Sequence, residues 1–224
     1  MDLALIIQRI AIFAIPLIFA ITLHEAAHAF AARYFGDSTA YMMGRMTLNP
    51  IKHIDPVWTL LVPLVLVLIS SPFIFGAAKP VPVNFGALRN PKRDSVWVAL
   101  AGPLANFAMM VGWAMVAKVA LMMGADASTG GPVTYLTYVA LVAQAGIVVN
   151  VLLMIFNLFP LLPLDGGRIV AGLLPNKLAY SYSRLEPYGM FILIALLITG
   201  VFGHLMTPLV DSSLKAVYSV IGIS

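Results

Sequence analysis

The chain has 224 residues, 61% of them hydrophobic and only 10% charged, with a mean hydropathy of +0.97 and a formal net charge of +4. Soluble domains carry about 25% charged residues, so the composition excludes an ordinary water-soluble fold and points to an integral membrane protein. There is no cysteine, which excludes disulfides and thiolate metal sites, and the basic residues sit in short loops between apolar runs, which reads as membrane topology and not as nucleic-acid binding.

The first apolar run, Leu3–Tyr34, is long enough to cross a bilayer and carries no small-residue cleavage pattern of a signal peptide. Near its end stands His24-Glu25-Ala26-Ala27-His28. Residues four apart lie on one helix face, so two imidazoles can grip one divalent cation while Glu25 reaches a water on it. Three ionisable groups within five membrane residues cost several kcal/mol unless they are used. Residues 36–56 are polar and turn-rich and hold His53. The next apolar run, 57–75, contains Pro63 and Pro72, and its uninterrupted part is short for a crossing. Residues 76–83 read Gly-Ala-Ala-Lys-Pro-Val-Pro-Val, which suits an extended segment. Further spanning helices are expected over 95–123, 133–159 and 188–205, with the tail 208–224 lying along the interface.

Charge decides how 57–75 is read. If that run does not cross, Arg33, Arg45, Lys52, Lys79, Arg89, Lys92, Arg93, Arg168, Lys177 and Arg184 share one side, ten of the 13 basic residues. If it crosses, the first three are split from the other seven. The positive-inside rule favours a re-entrant or interfacial hairpin, with the basic side cytoplasmic and the N-terminus outside.

A catalytic zinc needs a third protein ligand. A histidine six residues after His28 is absent, because position 34 is Tyr, and the one other glutamate is Glu186. Asp165 is the stronger candidate. It follows a helix broken by Pro160 and Pro163 and precedes Gly166-Gly167, irregular backbone near membrane depth. Taken alone it could equally be an Asp-Gly turn at the membrane surface. With 57–75 not crossing, the first and third spanning helices run in the same direction, and Asp165 can reach the depth of His24 and His28.

Four blocks then become specific together: His24 to His28, Asn49-Pro50-Ile51-Lys52-His53-Ile54-Asp55, Gly102-Pro103-Leu104-Ala105-Asn106, and Asn157 to Gly166 with its Asn-x-x-Pro-x-x-Pro-Leu-Asp-Gly pattern. In this order the chain resembles the site-2 proteases, intramembrane zinc metalloproteases, in their compact bacterial form. There is no room for a PDZ-type or nucleotide-sensing domain. The resemblance implies one Zn²⁺ per chain held by His24, His28 and Asp165, and Glu25 as general base. It implies Asn157 on the substrate strand or the oxyanion, and Asn106 as structural support. His53 matches a block but has no role that physics supplies. The same donor set also suits iron or cobalt.

The expectation is therefore an all-α membrane protein with one domain over 1–224. It is a polytopic helical bundle of about four to six transmembrane segments, with a re-entrant or interfacial hairpin and a short extended (β) segment near Lys79 to Val83 that could pair with substrate. Its reaction is hydrolysis of a peptide bond in or beside a transmembrane segment. The partners are a transmembrane protein substrate and membrane lipid, with no nucleic acid and no oligomeric state readable. The expected location is the bacterial cytoplasmic membrane, with the site toward the cytoplasm. Two rivals stand beside it: a membrane peptidase for lipid-modified or misfolded proteins, and a non-catalytic metal binder.

Overall fold

The computed structural model describes residues 3–61, 65, 78–125 and 134–222. Eight α-helices occur among them: α1 Leu3–Tyr34, α2 Thr39–Met42, α3 Pro91–Met122, α4 Tyr135–Asn157, α5 Asp165–Leu173, α6 Asn176–Ser183, α7 Glu186–Ile198 and α8 Val201–Ile221. Three helical stretches are long and apolar enough to cross a membrane: Ile10–Tyr34, Pro91–Met122 and Tyr135–Asn157. A fourth crossing results if α7 and α8, which meet at 79°, are counted as one broken span.

α1, α3 and α4 pack against one another, and small side chains are buried on all three: Ala20, Ala26, Ala29, Ala32, Ala99, Ala117, Ala140 and Ala143. Lipid is as apolar as leucine, so close backbone approach through small residues is what holds membrane helices together. The large apolar residues of α1 instead face outward, Ile10, Phe13, Ile15, Ile18 and Phe19 among them. Gly102 of α3 marks the closest approach. A Cβ built there would lie 2.4 Å from His28 Nε2 and 2.5 Å from His24 Cε1.

Two expectations change. The run 188–205 is not one straight helix. α7 stops at Thr199-Gly200, where Gly200 takes φ 75 and its N–H closes on Leu197 O, a left-handed helix ending that apolar composition hides. Residues 208–221 belong to α8. Val210, Leu214, Val217 and Ile221 of α8 pack on Met110, Ala117, Ile147 and Val151. The short β segment is not formed: no strand occurs among the described residues. Residues 78–84 are irregular because their polar groups are taken by loops and side chains, and Pro80 and Pro82 have no N–H for a ladder. Lys79 N donates to His53 O at 2.9 Å, Arg45 Nη2 to Lys79 O at 2.9 Å, and Asn84 N to Asp37 Oδ2 at 2.7 Å. Of the expected hairpin 57–75, only 57–61, in a π-helical turn, and 65 fall among the described residues.

Candidate active site

His24 and His28 lie one turn apart on α1, and both are buried. Asp165 opens α5 after the loop 158–164, where Leu161 N bonds Phe159 O and Leu164 N bonds Leu161 O. The loop can fold that tightly because Gly166 and Gly167 press on it. A Cβ at Gly166 would meet Leu158 O at 2.1 Å, and one at Gly167 would meet Leu162 N at 2.4 Å. The effect is to bring Asp165 Oδ2 to 3.3 Å from both His24 Nε2 and His28 Nε2, which are 3.1 Å from each other.

The outer ring nitrogens decide what those three atoms are. His24 Nδ1 is 2.6 Å from Asn106 Oδ1, and His28 Nδ1 is 2.8 Å from Val98 O. Both partners are acceptors, so each Nδ1 carries the proton and each neutral Nε2 presents a lone pair. Asp165 Oδ2 is buried with no hydrogen-bond donor of its own. Three acceptors this close repel unless a proton or a cation sits among them. A tetrahedral zinc with bonds of about 2.0–2.1 Å sets its donors about 3.3 Å apart, so the triangle fits that ion in both chemistry and size.

Glu25 stands beside the triangle, outside it. Its Oε2 accepts from Val81 N at 2.8 Å, which ties the segment 78–84 across the site. A cleft of about 440 Å³ runs between them, lined by His24, Glu25, His28, Val81, Asn157 and Asp165. Asn157 ends α4, with Nδ2 donating to Leu153 O at 2.9 Å; the amide carries a second N–H. Glu186 is elsewhere, its Oε1 held by Arg168 Nη2 at 3.0 Å.

Asn106 is fully buried and touches His24 directly. His53 does not line the cleft. It is 1% exposed, its Nε2 donates to Thr47 O at 2.9 Å, and its carbonyl anchors Lys79. Three participants have no counterpart in the sequence reading: Asn150, Val98 O and Val81 N–H. The two backbone groups leave no trace in a sequence. Asn150 does leave one, being an amide in the middle of an apolar spanning helix, where an unused polar group is costly.

Over residues 115–200 the chain matches the description Peptidase family M50. The Putative zinc metalloprotease YwhC of Bacillus subtilis is 35% identical over 202 residues, which is 88% of this chain and 85% of that protein. The zinc metalloproteases Rip2 of Mycolicibacterium smegmatis and of Mycobacterium tuberculosis strain H37Rv, which carry the same qualifier in their names, are 28% and 29% identical. The matches cover 79% of this chain in each case, and 62% and 61% of those proteins. No solved structure matches.

Proposed function

The chain belongs to peptidase family M50, an integral membrane zinc metalloprotease by that membership, and from that premise we propose that one domain over 1–224 hydrolyses peptide bonds in or beside the transmembrane segments of other membrane proteins. His24, His28 and Asp165 hold the zinc. Glu25 is the general base, Asn157 contacts the substrate, Asn106 orients His24, and His53 braces the loop over the site. The observation that carries this reading is the triangle of three facing acceptors with a carboxylate next to it on the same helix.

When bound, zinc acidifies a water and polarises the carbonyl to be attacked. Glu25 takes the proton from the attacking water and returns it to the leaving amine. With Oε2 held by Val81 N–H, Oε1 is the oxygen that receives it. Asn157 turns its second amide N–H to the developing oxyanion, where a fixed donor contributes most. Apolar helices around the cleft limit the water that reaches it.

The topology proposed is four crossings with the site toward the cytoplasm of a bacterial inner membrane, and with 57–75 re-entrant. The contact of Lys79 N with His53 O supports it. That bond sets the backbone before the run and the backbone after it at one depth, which a single crossing between them would not do. Arg89, whose Nη2 donates to Tyr34 O, likewise stands at the end of α1.

Glu25→Gln tests the reading. It keeps size and hydrogen bonding but not the basic carboxylate. In purified zinc-loaded protein it is expected to hold the metal while cleavage falls by about 10²–10⁴. Cleavage of a membrane substrate at near the wild-type rate would sink the protease mechanism.

A further inference from the structure

We propose that Asn150 is a positioning residue for the metal site, because it sets which way the Asn106 amide faces and, through that amide, which nitrogen of His24 is left bare. This inference rests on the zinc reading of the site. The chain of contacts starts on a backbone carbonyl, which cannot reverse its role. Asn150 Nδ2 donates to Gly146 O at 2.8 Å, one turn back on α4. That leaves Asn150 Oδ1 as the acceptor facing α3, where it receives Asn106 Nδ2 at 3.0 Å. Asn106 then has only its own Oδ1 to offer His24 Nδ1, at 2.6 Å. A neutral imidazole carries one N–H, so Nε2 faces Asp165 and His28 with a lone pair.

Every link points its donor away from the site, and only this polarity satisfies the whole chain. Reversing the Asn150 amide would set its oxygen against Gly146 O. Reversing Asn106 alone would set its oxygen against Asn150 Oδ1 and its N–H against His24 Nδ1, moving the imidazole proton to Nε2, where it blocks the metal. Asn106 and Asn150 are both 0% exposed, so no water can mend a wrong orientation. A second contact acts on Asn106, from Nδ2 to Ala20 O, but at 3.4 Å it is the weaker restraint.

The test is apparent zinc affinity by chelator competition on the full chain in detergent, with five variants beside wild type. Asn150→Leu removes the acceptor that orients Asn106 and is expected to weaken zinc binding about 10–100-fold, the usual effect of losing an outer-shell partner. Asn106→Leu removes the amide through which Asn150 acts and is itself expected to weaken zinc binding. In that background Asn150→Leu is expected to change affinity by no more than about twofold further. Asn150→Asp, protonated at this depth, can donate to Gly146 O and accept from Asn106 as the amide does, and should stay within about twofold of wild type. Asp165→Ala should lose the zinc altogether. Equal loss from Asn150→Leu in both backgrounds would mean packing and overturn the proposal, as would wild-type affinity in Asn150→Leu. A tenfold loss in Asn150→Asp overturns it even if Asn150→Leu does not fold. Zinc retained in Asp165→Ala instead defeats the ligand assignment itself, and with it this inference.

Discussion

At the residue scale the site is an exercise in satisfying donors and acceptors where water is scarce. Each histidine commits its Nδ1–H to an oxygen outside the triangle, Asn106 for one and the Val98 carbonyl for the other. These commitments aim both Nε2 atoms at Asp165, so the outer partners shape the proposed metal site as much as the proposed ligands do. Gly102 belongs to the same arrangement, since its missing side chain is the space the two imidazoles occupy. Gly102→Ala puts a methyl group 2.4 Å from His28 Nε2. The imidazoles must move, and the variant is expected to lose most of its zinc, measured as metal per folded chain. Zinc at wild-type stoichiometry would show that the rings have room the packing does not suggest. The two acidic candidates separate as cleanly. Asp165→Ala should lose the metal, while Glu186→Ala should keep it because Glu186 is engaged by Arg168 away from the triangle.

At the element scale the segment 78–84 is the part that does least by itself and most through its attachments. It has no ladder and two prolines, and it is held from three places: the loop of Arg45 and His53, the carboxylate of Glu25, and Asp37 after α1. Arg45→Ala removes the bonds to Lys79 O and Pro80 O and loosens the strap that carries Val81. A hydrogen bond from a charged group contributes about 1.5–3 kcal/mol. The expected result is a loss of about tenfold in cleavage rate or more with zinc content unchanged. Metal loss on the same scale would place Arg45 in the architecture of the triangle itself. The junction of α7 and α8 offers a contrast. Gly200 is at φ 75 with open space where a Cβ would be. Gly200→Val should therefore cost only backbone strain, about 1–2 kcal/mol, and lower the thermal midpoint by a few degrees without touching zinc.

At the scale of the whole molecule the bundle gathers its basic residues at one end. Arg89 sits against the end of α1, and Lys92 Nζ bonds Asn176 at 2.8 Å at the start of α6. Lys118 reaches Val220 O at the far end of α8. The absence of cysteine makes this testable by labelling. Single cysteines at the exposed positions Tyr41, Arg89 and Lys177 should react from the cytoplasmic side, and one at Met123 from the opposite side. Opposite labelling at Tyr41 and Arg89 would mean that 57–75 crosses, and the topology proposed above would fall.

What the sequence determined by itself was the medium, the chemistry and the order of the parts. Apolar length makes a crossing readable because a bilayer has a fixed thickness, and His24, Glu25 and His28 are readable because a helix sets residues four apart on one face. Asp165 was legible as a carboxylate in backbone that only protein could shelter. The tertiary structure decided what no local pattern encodes. The break at Gly200 depends on a left-handed turn that hydropathy does not see. The failure of 78–84 to become a strand depends on Arg45, Glu25 and Asp37 claiming its backbone first. Asn150, 44 positions from Asn106 along the chain, became part of the site only when α3 and α4 packed. Hydrogen bonds of that range are set by which helix faces meet, and that is a property of the assembled bundle.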